Sequence, residues 1–241
     1  MFEFNKELPL SAHEHDASLN GALASTRYID ASAPSIVAFS REVAGKGSPH
    51  DKAVRLYYGV RDYIRYDPYA VDMQPEGLSA SRCLADGYGF CITKSVLLAA
   101  VARAAGIPAR LGFADVRNHL ATPRLIALMG TDIFYFHGYT SLYLDGRWVK
   151  ATPAFNIELC EKFGVKPLEF DGREDSIFHA FDTSGRQHME YVHDRGLFDD
   201  LPFDEIKTTF AQHYPKMSVG GAAASGDFQA EAQAQAKAPG H

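Results

Sequence analysis

The chain has 241 residues, of which 46 % are hydrophobic and 22 % charged, with a net charge of −6 at pH 7. That is the balance of a globular protein able to bury a substantial core. The acidic balance, with no Lys/Arg cluster, speaks against a nucleic-acid surface, and no apolar run approaches the ~18 to 20 residues of a membrane span.

The first residues, MFEFNKELPLSAHEHD, lack the basic start and apolar stretch of a signal peptide, so a cytoplasmic setting is expected. Phe2 and Phe4 alternate with polar neighbours as a short edge strand does. Pro34 to Ala44 reads as a helix opened by proline and closed by Gly45 and Gly47. A stronger helix starts at Ser48-Pro49-His50-Asp51 and runs to Arg65, with Ala53, Leu56, Tyr57, Val60 and Ile64 on one face. Ser79 to Leu84 gives one or two helical turns before a glycine-rich turn at Gly87 and Gly89.

The stretch GYGFCITKSVLLAAVARAAGIPAR, Gly87 to Arg110, organises the chain. Apolar residues recur at Val96, Leu97, Ala100, Val101 and Ala104, the stripe of an amphipathic helix that Gly106 and Pro108 stop. Cys91 therefore sits in the first turn, where free N–H groups and the helix dipole favour an anion. A thiolate is such an anion, and helix N-termini are places where a cysteine pKa falls below its usual ~8.5. The glycines before it allow backbone or substrate to come close. Tyr88 and Phe90 flank the turn as core or rim aromatics, or as a cleft wall. Cys83 and Cys160 read as small buried residues; the three cysteines show no CxxC spacing and suggest neither a disulfide framework nor a zinc site.

Ala109 to Val116 alternates like a strand, with Arg117-Asn118-His119 as a solvated loop after it and a turn of helix around Arg124 to Leu128. Ile133 to Leu144, Asp145-Gly146 and Arg147 to Ala151 form a hairpin, because Asp-Gly suits a two-residue type I′ turn. With that turn Leu144 faces Arg147, Tyr139 faces Thr152 and His137 faces Ala154. Side-chain alternation then puts His137, Tyr139, Ser141 and Tyr143 on one face with Trp148, Lys150 and Thr152. Thr152 becomes the diagonal neighbour of His137, on the order of 5 to 8 Å away. His188 and His193 do not have the HExxH spacing of a zinc helix, and no metal or other cofactor is expected. Further on, Ile157 to Phe163 reads as a short helix, Pro167 to Phe170 as extended, Gln187 to His193 as a strand and Phe203 to His213 as a helix. Residues 217 to 241 are rich in Ala, Gly, Gln and Ser and read as a disordered tail.

From about Asp51 to Asn156 the chain resembles the core of the transglutaminase-like superfamily, a branch of the papain-like cysteine enzymes. The resemblance rests on GYGFC, LLAAVARAAGIPAR and FHGYTSLYLDGRWVKATP in that order. It implies an α+β fold with the nucleophile-bearing helix packed on an antiparallel sheet, in a single domain over residues 1 to 216 whose part beyond 156 is an elaboration. It implies Cys91 as nucleophile, His137 as general base and, at the position of the orienting residue, Thr152. The family usually has Asp-Pro-Thr there; this chain has Thr152-Pro153-Ala154. Threonine can hold an imidazole tautomer but carries no charge for an imidazolium. Asn156, or a carboxylate such as Asp115, Asp132 or Glu158, could take the part instead. Trp148 could shield a thiolate–imidazolium pair or simply pack. The implied reaction is acyl transfer or hydrolysis at an amide, ester or thioester carbonyl of a peptide or small molecule. A catalytically inactive peptide-binding or scaffolding module is the rival reading.

Overall fold

A computed structural model describes residues 19–119, 121–177, 185, 188–214, 216 and 227–237. The strand expected around Phe2 and Phe4 lies outside them. The chain opens with helices α1 (Pro34–Ala44) and α2 (Pro49–Tyr63). Helix α2 is closed at its start by a capping box, in which Ser48 Oγ accepts the Asp51 N–H at 3.1 Å and Asp51 accepts the Ser48 N–H at 3.1 Å. It ends at Tyr63, two residues before the sequence pattern suggests, because Arg65–Tyr66 leaves as a short strand, β1. This strand pairs in parallel with β2 (Tyr88–Gly89) and ties the end of α2 to the turn before Cys91. Between them lie a 3-10 turn, Pro75–Leu78, and helix α3 (Ala80–Asp86).

Helix α4 (Cys91–Ala104) is the centre of the molecule, and here the expected amphipathic stripe gives way. Every residue from Cys91 to Arg103 is buried, because α1, α2 and α3 cover one side and a sheet covers the other. The polar residues on it are buried with partners. Ser95 Oγ donates to the Cys91 carbonyl at 2.8 Å, and Lys94 Nζ donates to the Arg61 and Ile64 carbonyls at 2.9 and 2.5 Å.

The sheet has the order β5-β4-β3-β6, with β3 Ala109–Asn118, β4 Ile133–Leu144, β5 Arg147–Ala151 and β6 Met189–Phe198, all neighbours antiparallel. Helix α5 (Pro123–Met129) connects β3 to β4. The hairpin pairs as its turn predicts, Leu144 with Arg147 through Thr140 with Ala151. The side chains of one face meet accordingly: the Tyr143 and Trp148 rings are 5.3 Å apart, and Lys150 Nζ lies 5.3 Å from the Tyr139 ring centre. The opposite face lies on α4, where Thr140 Oγ1 donates to the Ser95 carbonyl at 2.9 Å.

Helices α6 (Ile157–Phe163) and α7 (Phe203–His213) fall where the sequence pattern places them. The tail does not. Phe228–Lys237 is a helix, α8, packed on α6. Alanine and glutamine are good helix formers, and one aromatic supplies the anchor: Phe228 is buried against Tyr66, Tyr69 and Phe163, with ring centres 5.5 to 5.8 Å apart.

Candidate active site

Gly87 ends α3 with φ +69, and Gly89 is required by crowding, since a Cβ there would lie 2.5 Å from Thr93 Oγ1 and 2.9 Å from Cys83 Sγ. Thr93 accepts the Phe90 N–H at 3.1 Å and so caps α4 from its third position. Cys91 begins the helix. The nearby backbone N–H groups of Gly138, Ile92 and Cys91 favour its thiolate, yet burial outweighs them and pushes the thiol up to about 11. At a cysteine 6 % exposed, the desolvation of the thiolate is larger than what the helix start offers it.

The Gly138 N–H belongs to the peptide joining His137 to Gly138, so the start of α4 and the histidine strand meet at one peptide unit. The contact depends on a missing side chain. A Cβ on Gly138 would stand 3.1 Å from the Cys91 carbonyl oxygen and 3.3 Å from Ile92 Cα, both backbone atoms. His137 is buried and lines a cavity of about 10 Å³ together with Thr152, Phe155, Ile177 and Met189. That volume holds about one water. Thr152 follows the last paired residue of β5 and is held at three points. Its N–H donates to Ser176 O at 2.8 Å, its Oγ1 donates to Ile177 O at 2.8 Å, and its carbonyl accepts from the Tyr57 hydroxyl at 3.2 Å. With the hydroxyl proton committed to Ile177, the lone pairs of Oγ1 are what remains to face a ring N–H.

The strand is irregular just before His137. Ala114 pairs with His137 but Val116 pairs with Phe134, so β4 carries one extra residue, and Phe136 adopts φ 55. A left-handed conformation costs a bulky side chain about 1–2 kcal/mol and persists only where its surroundings enforce it. Asp115 accepts the Phe136 N–H at 3.1 Å and is gripped by Arg195 through two bonds of 2.7 and 2.8 Å. The Arg195 guanidinium also lies 4.2 Å from the Phe136 ring centre.

The remaining candidates are spread out. Asp115 serves this bulge and Arg195. Asn156 is buried, with Oδ1 accepting the Tyr66 N–H at 3.1 Å. Asp132 pairs with Arg117 at 3.3 Å, and Glu158 is exposed in the first turn of α6. Tyr88 lies in β2 with the Arg65 guanidinium 5.9 Å from its ring centre. Trp148 shares the face of His137 but pairs with Tyr143, six residues along β4 and so on the order of 20 Å away, where Arg110 stacks on it at 5.0 Å. It cannot shield the Cys91 end. His119 lies 3.2 Å from Glu190, and His188 stacks on Phe155. Among the described residues no group of three His, Cys, Asp or Glu side chains could hold a metal ion, and no helix is long and apolar enough to cross a membrane.

Sequence reasoning missed Gly138, Phe136, Arg195 and Tyr214. A glycine inside a strand pattern signals close backbone approach, so Gly138 had a readable mark. The other three did not.

Residues 37–153 match the model of the transglutaminase-like superfamily, and this stretch has the α+β arrangement of a helix on an antiparallel sheet that fits such a core. No curated protein matches the chain. Among solved structures, a provisionally assigned cysteine protease of Cytophaga hutchinsonii is similar at 16 % identity and TM-score 0.45, over 78 % of this chain and 55 % of its own. A structure described as a TGase is similar at 15 % identity and TM-score 0.38, over 92 % of this chain and 56 % of its own. A provisionally assigned protease of Parabacteroides distasonis is similar at 15 % identity and TM-score 0.38, over 56 % and 26 %. The chain thus spans about half the length of the first of these.

Proposed function

We propose that the protein is a cysteine-dependent enzyme acting on an amide, ester or thioester carbonyl of a peptide or small molecule. The observation that carries the reading is that the first turn of α4, which bears the buried Cys91, meets the strand of His137 at Gly138, where a Cβ would lie 3.1 Å from the Cys91 carbonyl oxygen. In the proposed reaction Cys91 Sγ adds to the carbonyl carbon while its proton passes to His137. The carbonyl oxygen becomes an oxyanion, and the N–H groups of Cys91 and Gly138 are the donors at hand for it. The C–N or C–O bond then breaks, His137 returns the proton to the leaving group, and an acyl-cysteine remains. Water releases it as an acid, or an amine takes it as an amide. Thr152 orients the ring of His137 without adding charge. Binding without turnover is the second reading, and the tight cover over Cys91 and the water-sized space at His137 favour it.

Alkylation by iodoacetamide separates the two, measured from pH 5 to 10 with Cys83 and Cys160 replaced by serine. If His137 is the base, the rate at Cys91 climbs through the range where a histidine loses its proton, and His137→Ala slows it at pH 7.5 by about 10² or more, the low end of general-base assistance. Equal rates in the two proteins across the range would leave the binding reading in place.

A further inference from the structure

The bulge before His137 is held from two sides by residues far away in sequence. On one side is the Asp115 carboxylate, 4 % exposed, which takes the Phe136 N–H and is fixed by the two-bond grip of Arg195. On the other is the Tyr214 hydroxyl, just past the end of α7. It accepts the Tyr135 N–H at 2.6 Å and donates to the Ile133 carbonyl at 3.0 Å, in the place of a ladder partner. The irregularity is not confined to β4. The pairing of β3 with β6 shifts register on both sides of Asp115, between Phe113 and Ala114 and again between Asp115 and Val116, and Gly196 beside Arg195 has φ 87. Distortions in three neighbouring strands therefore meet at one carboxylate. They have a common result: two successive N–H groups, of Tyr135 and Phe136, are bound by side chains, and the chain leaves the kink with Gly138 set against the first turn of α4, where a Cβ would stand 3.1 Å from the Cys91 carbonyl oxygen and 3.3 Å from Ile92 Cα.

We infer that Asp115, Arg195 and Tyr214 are positioning residues, a clamp that keeps Phe136 left-handed and thereby seats the Gly138 peptide against the first turn of α4 beside Cys91. None of the three touches the reacting atoms. Their part is to set the direction of one peptide, which in a regular strand would follow the ladder. The catalytic side of this inference rests on the acyl-transfer reading; the geometric side does not.

The test uses the full chain with Asp115→Asn, which keeps an acceptor for Phe136 but weakens the grip of Arg195, and Tyr214→Phe, which keeps the ring and loses both bonds. Amide hydrogen exchange by NMR is followed at Gly138, with Leu97 and Leu98 in the middle of α4 as internal references. The clamp predicts that Gly138 exchanges at least about tenfold faster in both variants while the two leucine amides keep their native protection. Iodoacetamide modification of Cys91 at pH 7.5 should slow by a similar factor, and Arg195→Lys, which keeps a charge on Asp115, should recover part of what Arg195→Met loses. Unchanged Gly138 protection in Tyr214→Phe and Arg195→Met overturns the clamp, whether or not Asp115→Asn folds. If His137→Ala leaves alkylation unaltered while Gly138 still loosens in the variants, the acyl-transfer reading falls and the clamp stands.

Discussion

Lys94, three residues after Cys91, is fully buried, and desolvation lowers its pKa to about 7, with nearby Cys83, Asp62 and Cys160 opposing the shift. In the unfolded chain a lysine titrates near 10.4. A folded-state value depressed below the unfolded one contributes stability that is present above the unfolded pKa and lost as pH falls through the folded pKa. Between pH 7 and about 10 unfolding takes up one proton at this site, so stability attributable to Lys94 rises with pH at about 1.4 kcal/mol per unit. From pH 7 to 9 the gain is about 2 kcal/mol, since at pH 7 half of the folded protein still holds the proton. Other buried groups, including Cys83, Cys160 and Tyr66, titrate in the alkaline range too and are raised by burial, so the wild-type curve alone would mix signs. Lys94→Met isolates the term: it fills the same space and cannot titrate. The mutant leaves the Arg61 and Ile64 carbonyls without their ammonium donor, a cost of about 1–3 kcal/mol each that does not depend on pH. Urea denaturation of both proteins at pH 6, 7, 8 and 9 should show the wild type gaining on the mutant by about 2 kcal/mol between pH 7 and 9 and by much less from 6 to 7. A difference constant to within about 1 kcal/mol would mean that Lys94 keeps an ordinary pKa inside the core, and the burial argument would fail.

Gly138→Ala should separate α4 from β4 at the site, since its methyl meets the backbone at 3.1 and 3.3 Å; Cys91 alkylation at pH 7.5 is expected to fall by about 10²-fold, the cost of an ångström of misplacement. Thr152→Asp places a carboxylate beside the Ile177 carbonyl in a site 3 % exposed, so the variant should be less stable by thermal melting yet shift the onset of Cys91 alkylation to lower pH by favouring protonated His137. An unshifted onset in a folded protein would show that residue 152 does not reach the imidazole. Phe228→Ala should lower stability by about 3 kcal/mol in denaturant titration, because one ring holds α8 against Tyr66, Tyr69 and Phe163.

What the sequence disclosed was local. Asp145-Gly146 set the hairpin register because both residues take positive φ, 49° and 82°, as a type I′ turn demands, and one register then placed every side chain of β4 and β5. Helix ends were legible where glycine or proline marked them. The fate of a polar residue in a helix was not: Thr93, Lys94 and Ser95 look like a solvent face, and only distant carbonyls on α2, or neighbours within α4, make their burial tolerable. Arg195 is 80 residues from Asp115, and Tyr214 is 79 from Tyr135, so no window of sequence contains the clamp on Phe136. Nor does any local mark show that the run Phe228–Lys237 docks, since what holds it is one buried aromatic, Phe228.

The resting state of Cys91 bears on why a threonine can stand where a carboxylate is usual. Burial holds the Cys91 thiol above its ordinary value, which favours the protonated sulfur at pH 7. A permanent thiolate–imidazolium pair is then not the resting form, and under the proposed reading the proton moves to His137 only as sulfur meets the carbonyl. A charged orienter is most useful where an imidazolium must be held in the resting enzyme. Where the imidazole rests neutral, the standing requirement is a fixed tautomer and ring plane. Under the proposed reading that part falls to Thr152, whose Oγ1 is held by its bond to Ile177. The brief imidazolium of the reaction then draws its stabilisation from the oxyanion forming beside it, itself held by the Cys91 and Gly138 amides. On this account the direction of the Gly138 N–H, and so the clamp on Phe136, gains weight as the charge at position 152 is lost.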